Sequence, residues 1–291
     1  MSFKAAPELG VVAETSPWEP LVIAVAPNGA RRTQVDHPAL PMSAREIAAA
    51  AVACRDTGAS LLHLHVRDQD GEHTLDPAPY LVALDAVRAA VGDGLVVQLT
   101  TEAVGRYTAE EQMKVVRAVR PEAVSLALRE LMPPGAPEAP LARFLDWMIG
   151  EGIQPQYILY DAGDVWRFAK LCESGTVPAR ARNVLFVLGR YAVDQRSRPA
   201  DLLPFLDAWR AAAVEAASWS VCAFGPQENA CALTAAALGG HSRVGFENNL
   251  HLSDGSPAPD NAALVAQVRD GATLLGRPVA DARQARRLMG A

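Results

Sequence analysis

The chain has 291 residues, half of them apolar, and its 27 basic and 33 acidic side chains give a formal net charge of −6 with neutral histidine. This mildly acidic balance argues against nucleic acid and anionic membranes as partners, because both attract strongly cationic proteins. No run of about 18 apolar residues occurs and residues 1–20 do not resemble a secretory signal, so we expect a cytoplasmic protein without a membrane span.

Eight short apolar runs rich in Val, Leu or Ile follow one another along the chain, as expected for parallel strands covered on both faces. They begin at Leu21, Leu61, Leu95, Ala123, Gln156, Asn183, Ser218 and Ser242. Amphipathic stretches between them predict helices that start at capping boxes after Ser43 and Thr108 and at Pro77, which follows the capping residue Asp76. The predicted helix ends are Gly58, Gly92, Gly152, Gly175 and Gly239.

Eight strand–helix units of roughly 30 residues each predict an α/β fold, a (β/α)8 barrel. The alternative is an open doubly wound sheet, but no GxGxxG motif follows the first strand and the units number eight. We expect a single barrel domain over residues 21–291, which ends in a short helix within 277–291. Residues 1–20 are predicted to form an N-terminal arm.

The second predicted strand carries two histidines close to its end, in the run HLHVR at residues 63–67. Side chains alternate along a strand, so His63, His65 and Arg67 share one face and are expected to point into the barrel mouth. Two neutral imidazoles at this spacing fit a transition-metal ion. The alternative is a pair of core histidines with ordinary hydrogen bonds, or one histidine bonded to a carboxylate.

A third metal ligand is expected at another strand end. The eighth run places Arg243, Gly245 and Glu247 on one face, and alternate strands of a (β/α)8 barrel supply the same layer of side chains. Glu247 would then join His63 and His65 in a set of two histidines and one carboxylate, with open positions for substrate. A surface ion pair is the alternative for Glu247.

The inventory of histidines and lysines excludes two other barrel chemistries. A binuclear amidohydrolase would need the HxH motif on the first strand and further histidines on strands five and six, and neither is present. A Schiff-base aldolase needs a lysine on a strand. Lys114 and Lys170 fall in predicted helices and Lys4 in the predicted arm.

These motifs resemble those of the β-keto acid cleavage enzyme family, whose best-known member acts on 3-keto-5-aminohexanoate. The resemblance covers nearly the whole chain after residue 21 and rests on residues 28–30 (NGA), 36–41 (DHPALP), 63–71 (HLHVRDQDG), 98–100 (QLT), 186–189 (FVLG), 239–248 (GGHSRVGFEN) and 259–261 (PDN). Its most specific part is the joint presence of the HxHxR and GGHxRxGxE runs.

The resemblance implies a homotetrameric barrel with zinc, or another divalent transition metal, held by His63, His65 and Glu247. The family reaction exchanges a β-keto acid with acetyl-CoA and gives acetoacetate and a new CoA thioester. A divalent metal chelated by the keto acid suits this chemistry, because it polarises the carbonyl and stabilises enolate charge.

The resemblance also suggests roles for residues beside the metal. Arg243 would hold a substrate carboxylate or stabilise an oxyanion. Thr100 stands where the family carries a hydroxyl that contacts substrate, and the alternative is a structural hydroxyl at a strand end. Asn28, in the NGA run, is expected to bind substrate.

Several positions depart from the family pattern. Asn248 replaces the aspartate that usually follows the metal-binding glutamate, and Arg31 replaces a glutamate after the glycine–alanine pair. Residues 156–158 (QYI) replace an acidic pattern on the fifth strand, and residues 225–226 (GP) stand where an arginine is expected, which bears on CoA contacts. Asn248 itself is predicted to contact substrate but cannot exchange a proton near neutral pH.

The fourth strand is followed by Arg129 and Glu130, where the family often has small or hydroxyl-bearing residues. We hypothesise that Glu130 has taken over proton transfer and that Arg129 or Arg31 binds an anionic group of the substrate. The alternative is a salt bridge between Arg129 and Glu130 at the barrel rim.

Two other functions remain compatible with these residues. The first is a metal-dependent hydrolase or isomerase that acts on a keto acid without CoA. The second is a barrel that binds a small acid without turnover, and the loss of a carboxylate at Asn248 is what keeps this possibility open.

Overall fold

The computed structural model describes residues 18–180, 182–214 and 218–290, so most of the predicted N-terminal arm lies outside the described residues. Eight parallel strands close into a barrel in chain order, and β1 pairs with β8 as well as with β2. The strands are β1 Ile23–Val25, β2 Leu61–Leu64, β3 Val96–Thr100, β4 Ala123–Ala127, β5 Gln154–Leu159, β6 Asn183–Leu188, β7 Ser218–Ala223 and β8 His241–Val244. This confirms the (β/α)8 prediction and excludes the open sheet.

Helices surround the barrel, and two 3-10 turns, Val193–Gln195 and Pro199–Leu202, lie between β6 and the following helix. The helices are α1 Ala44–Thr57, α2 Pro77–Val91, α3 Ala109–Val119, α4 Leu128–Leu131, α5 Glu138–Gly150, α6 Ala162–Glu173, α7 Leu203–Ala212, α8 Glu228–Ala237, α9 Asn261–Leu274 and α10 Ala282–Leu288. The last of these is the short helix predicted within residues 277–291. In the part of the chain that the structure describes, no helix has the length and apolarity needed to cross a bilayer.

The predicted helix starts are confirmed by the capping geometry. The hydroxyls of Ser43 and Thr108 accept from backbone N–H groups three residues on, and the glutamates at those positions bond back to the caps. Helices α1 and α2 stop directly before Gly58 and Gly92. Helices α5, α6 and α8 stop two residues before the predicted glycines, because an intervening residue already serves as the cap.

Side chains alternate along each strand, so one set is buried between the strands and the helices and the other set is buried inside the barrel. On β3, Val97 and Leu99 pack beneath the helices, whereas Val96 points into the barrel and joins a cluster with Met289, next to α10, at the amino ends of the strands. Polar side chains follow higher up on the inner face, including Gln98 and Thr100. The carboxyl ends of the strands therefore carry the polar groups, as is usual for active sites in this fold.

Candidate metal centre and active-site cavity

His63 lies on β2 and His65 directly follows it, and both imidazoles are buried. The strand ends at Leu64, three residues earlier than the predicted run. Arg67 therefore leaves the strand pattern, and its guanidinium donates to the backbone carbonyls of Gly29 and Arg32 instead of lining the cavity. The expectation that Arg67 faces the barrel mouth is wrong, because this side chain ties the loop after β1 to the loop after β2.

Glu247 reaches the histidines by a turn and not along a strand. Strand β8 ends at Val244, and Gly245 adopts a φ of +136°. A Cβ at Gly245 would lie 2.4 Å from the Ala26 carbonyl oxygen, so only glycine lets the chain cross the end of β1 here. The backbone N–H of Glu247 then donates to the same Ala26 oxygen, over 3.1 Å.

The buried carboxyl group of Glu228 supports this turn from the start of α8. One of its oxygens accepts from the backbone N–H of Gly245 at 3.1 Å, and the other from the side-chain amide of Asn249 at 3.2 Å. Burial raises the pKa of Glu228 to about 8. Sequence reasoning missed this residue, since nothing in the sequence of α8 marks one glutamate as buried.

Three donor atoms converge at the end of the barrel. His63 Nε2 and His65 Nε2 are 3.2 Å apart, and Glu247 Oε2 lies 3.7 Å from the first and 3.3 Å from the second. Ligand atoms around a tetrahedral zinc ion are about 3.3 Å from one another, given metal–ligand distances near 2.0–2.1 Å. Glu247 Oε2 is also buried without a hydrogen-bond partner in the part of the chain that the structure describes. The donor set thus fits a divalent transition metal.

The protonation of His63 suits metal binding. Its Nδ1 lies 2.8 Å from Gln98 Oε1, so the ring donates there and Nε2 keeps its lone pair. Gln98 donates in turn to Gln156 Oε1 at 3.1 Å, and Gln156 donates to the Ser220 hydroxyl at 3.4 Å. Burial and then the charge of Arg243 lower the pKa of His63 well below its ordinary value, so this ring is neutral.

Glu247 is held as a carboxylate by its neighbours. Arg243 donates to Glu247 Oε1 at 2.9 Å and also contacts the Cys222 sulfur at 3.3 Å. Burial alone would raise the pKa of Glu247, but the charge of the Arg243 guanidinium lowers it well below the ordinary value. One oxygen of Glu247 therefore faces Arg243, and the other faces the imidazoles.

Asn28 is fully buried and fixes the loops beneath the cavity. Its amide nitrogen donates to the carbonyls of Pro41 and His65, at 3.0 and 3.2 Å. Its oxygen has no partner among the described residues. The next residue, Gly29, packs so closely on Glu247 that a Cβ there would lie 2.5 Å from Glu247 Cγ. The NGA run thus positions two of the three candidate metal ligands, His65 and Glu247.

A cavity with about 630 Å³ of empty space, open in part to solvent, lies over the three donor atoms. Four arginines and two glutamates line it, so a bound dication would leave it strongly electropositive. The polar lining is Asn28, Arg31, Arg32, His63, His65, Thr100, Glu102, Tyr160, Arg190, Gln195, Arg243 and Glu247. Such a wall suits anionic small molecules.

Among the residues given roles from the sequence, Thr100 and Arg31 also reach this cavity. The Thr100 hydroxyl oxygen accepts from the backbone N–H of Glu102 at 3.1 Å. Arg31 is exposed at the cavity wall. Their roles toward substrate stay predictions.

Arg129 and Glu130 are not among the residues that line the cavity. Arg129 forms ion pairs with Asp161 and Asp164, the first at 2.9 Å, so its partners in the described structure are not the glutamate beside it. Glu130 Oε2 accepts from the backbone N–H of Ala103 at 3.1 Å. Burial raises the pKa of Glu130 to about 7. The proposed proton transfer by Glu130 and substrate binding by Arg129 remain untested predictions.

Asn248 is fully buried and also lies outside the cavity lining. Its backbone N–H donates to Gly245 O at 2.9 Å, and its carbonyl accepts from the Gly225 N–H at 3.1 Å. Neither end of its side-chain amide has a partner among the described residues. Asn248 therefore shapes the turn that carries Glu247, and its predicted contact with substrate stays a prediction.

Five polar lining residues were missed by sequence reasoning: Arg32, Glu102, Tyr160, Arg190 and Gln195. Glu102 and Arg190 each come two residues after the last residue of a strand. That position at a carboxyl end of the barrel was the available signal. Tyr160 directly follows β5 and carries the same signal.

Comparisons with known proteins identify the family of the chain. A family model described as beta-keto acid cleavage enzyme matches residues 20–290. The 3-keto-5-aminohexanoate cleavage enzyme of Acetoanaerobium sticklandii is 32% identical over 279 residues, which cover 94% of this chain and 98% of the relative. The 3-oxoadipate:acetyl-CoA acetyltransferase of Cupriavidus necator is 30% identical over 279 residues, 94% of this chain and 95% of the relative.

Solved structures show the same fold. A ternary complex of ObcA with a C4-CoA adduct and oxalate superposes with a TM-score of 0.69 at 18% identity, over 87% of this chain and 68% of ObcA. At this identity the likeness concerns the barrel alone. The family model and the two relatives match nearly the whole chain, and the relatives do so at 30% identity or more, so the similarity is one of sequence as well as of fold. The chain belongs to the β-keto acid cleavage enzyme family.

Proposed function

We propose that the protein is a zinc-dependent enzyme that exchanges a β-keto acid, R–CO–CH2–COO⁻, with acetyl-CoA to give acetoacetate and R–CO–CoA. The convergence of His63, His65 and Glu247 beneath an arginine-lined cavity carries this proposal. The names of two relatives, a 3-keto-5-aminohexanoate cleavage enzyme and a 3-oxoadipate:acetyl-CoA acetyltransferase, support the reaction type. Another divalent transition metal would also suit two imidazoles and a carboxylate.

When bound, the metal would polarise the keto oxygen and stabilise the enolate charge that develops there. The protein groups around it bind and orient the anions. Arg243 Nε is buried and has no hydrogen-bond partner among the described residues, so it is available to donate to a substrate carboxylate or an oxyanion. The free oxygen of Asn28 and the hydroxyl of Thr100 offer hydrogen bonds on the same wall.

The reaction is tested by mixing zinc-loaded protein with candidate β-keto acids and acetyl-CoA and measuring acetoacetate and the acyl-CoA product. We expect both products only when acetyl-CoA is present. Consumption of keto acid without acetyl-CoA would favour a hydrolase or isomerase. Retained metal with no turnover over a broad panel would favour a binding protein.

The metal site is tested by elemental analysis of the purified protein. We expect one zinc ion per chain in the wild type and its loss in a variant with both His63→Ala and His65→Ala. A matched control is His251→Ala, because His251 is exposed and only its backbone forms hydrogen bonds among the described contacts. Full zinc content in the double variant would contradict the assigned ligands.

We also propose that residues 21–291 form the catalytic domain, that the protein is cytoplasmic and that it assembles as a homotetramer. The family resemblance supports the tetramer. Light scattering on the purified protein measures the assembly directly, and a monomeric mass at working concentration would contradict it.

A further inference from the structure

Glu102 stands at the carboxyl end of β3 with its side chain on the cavity wall. On the inner face of β3, Gln98 bonds His63 and Thr100 lines the cavity. Glu102 lies beyond the strand, two residues after its last residue, and lines the same cavity.

Three contacts fix Glu102 in place. Its backbone N–H donates to the Thr100 hydroxyl at 3.1 Å, and its carbonyl accepts from His73 Nε2 at 2.9 Å. Arg190 Nη2 lies 3.3 Å from Glu102 Oε1. The side chain keeps 20% of its surface exposed. The carboxylate is therefore oriented on the wall without being sealed off from a ligand.

The described residues of the cavity wall include few groups that could accept a proton. His63, His65 and Glu247 make up the proposed metal set, and the four arginines remain charged. Burial raises the pKa of Tyr160 well above its ordinary value, so this phenol stays protonated. Glu102 is the carboxylate that is left.

We propose that Glu102 is the catalytic base of this enzyme, which takes a proton from C2 of the bound β-keto acid and returns it to C2 of acetoacetate. This inference rests on the proposed function. It gives an acid–base group to a chain in which the residue after Glu247 is Asn248, whose amide cannot exchange a proton near neutral pH.

The proton balance closes over one turnover. Glu102 takes one C2 proton as the C–H electron pair enters the enolate. The enolate carbon bonds to the acetyl carbon of acetyl-CoA, and CoA leaves as the thiolate. The thiolate then attacks the original keto carbon, whose bond to C2 breaks and releases R–CO–CoA. The C2 carbanion of acetoacetate finally takes the proton back from Glu102.

The test follows exchange of the C2 protons of acetoacetate in D2O by proton NMR, with zinc-loaded protein and without acetyl-CoA. Acetoacetate is the product whatever keto acid is used, so the probe does not depend on R. We expect wild-type exchange above the protein-free rate and at least a 100-fold loss in Glu102→Gln. Zinc content should be unchanged in that variant, since Glu102 is outside the ligand set.

Two further variants sharpen the experiment. Glu102→Asp keeps a carboxylate and is expected to exchange faster than Glu102→Gln, even if both lose stability. Glu110→Gln, on the exposed first turn of α3, is the matched control and should exchange at the wild-type rate.

Each outcome decides between the possibilities. Wild-type exchange that persists in Glu102→Gln overturns the role of Glu102 and leaves the proposed function standing. Exchange lost in Glu130→Gln but kept in Glu102→Gln assigns the proton transfer to Glu130 instead. A wild-type protein that holds zinc but shows no exchange overturns the proposed function and this inference with it.

Discussion

Gln98 Oε1 accepts the Nδ1 proton of His63 over 2.8 Å, and this one bond determines which ring nitrogen faces His65 and Glu247 in the proposed metal site. Because Gln98 also donates to Gln156 at 3.1 Å, its amide cannot turn over without losing a second bond. The orientation of His63, the first of the proposed metal ligands, thus depends on a row of polar side chains across the barrel interior.

Replacing Gln98 by leucine should weaken metal binding. Without the carbonyl acceptor, His63 loses both its tautomer and its ring orientation, and we expect a 10–100-fold lower zinc affinity. Competition with a chromogenic chelator measures it. Gln112→Leu is the control, since Gln112 is a buried glutamine on α3 whose amide has no described partner. Equal affinities in the two variants would contradict the role of Gln98.

Gly29→Ala should displace Glu247 and lower zinc affinity at least tenfold. The new Cβ would meet Glu247 Cγ at 2.5 Å, and the φ of Gly29 is +65°. Gly255→Ala shares the positive φ, at +86°, but meets nothing within 4 Å. Both variants should lose about 1 kcal/mol of stability from the backbone alone. Normal zinc affinity in Gly29→Ala would show that Glu247 can shift freely.

Substitution of Arg31 and substitution of Arg129 should affect KM differently when the substrate is varied. Arg31 lines the cavity, so Arg31→Ala should raise KM for 3-oxoadipate about tenfold, the loss of one charged hydrogen bond, and leave 3-oxohexanoate unaffected. Arg129 is bound to Asp161 and Asp164. Arg129→Ala should therefore reduce the free energy of unfolding by about 1–3 kcal/mol and leave KM alone. The reverse pattern in KM would make Arg129 the substrate contact.

We expect buried His241 to make the stability of the fold sensitive to acid. Its Nδ1 accepts from the Val22 N–H at 3.1 Å, and burial, with Arg277 nearby, lowers the pKa of His241 to about 3. Below the ordinary pKa of about 6.5, His241 becomes protonated in the unfolded chain but stays neutral in the folded protein. The free energy of unfolding therefore falls as pH falls. The wild type should lose about 2 kcal/mol more than His241→Asn between pH 8 and pH 5.

Urea unfolding at the two pH values measures this difference. Asparagine offers an acceptor oxygen in place of Nδ1 but does not titrate, and histidines common to both proteins cancel in the comparison. An equal loss of unfolding free energy in the two proteins would mean that folded His241 becomes protonated between pH 8 and pH 5 as it does in the unfolded chain, and this would contradict the prediction.

Much of the fold follows from local patterns in the sequence. Apolar runs and capping residues such as Ser43 and Thr108 act within one strand or one turn, so the eight strands and several helix starts could be placed without the tertiary structure. The HxH motif at His63 and His65 also needs only the two-residue alternation of a strand. The ends of strands were harder to predict from the sequence, because they depend on where a neighbouring strand stops pairing. The predicted direction of the Arg67 side chain was wrong for this reason.

The candidate site divides in the same way. The sequence by itself determined the barrel and the two histidines, since these depend on periodicity and motif spacing. Glu247 was also named from the sequence, but from a strand alternation that ends at Val244 in the structure. Only the tertiary structure decided that Glu247 arrives through the Gly245 turn, that Arg129 is already paired and that Glu102 lines the cavity. Those facts depend on which side chains from distant parts of the chain compete for the same space and charge, and no local pattern records that competition.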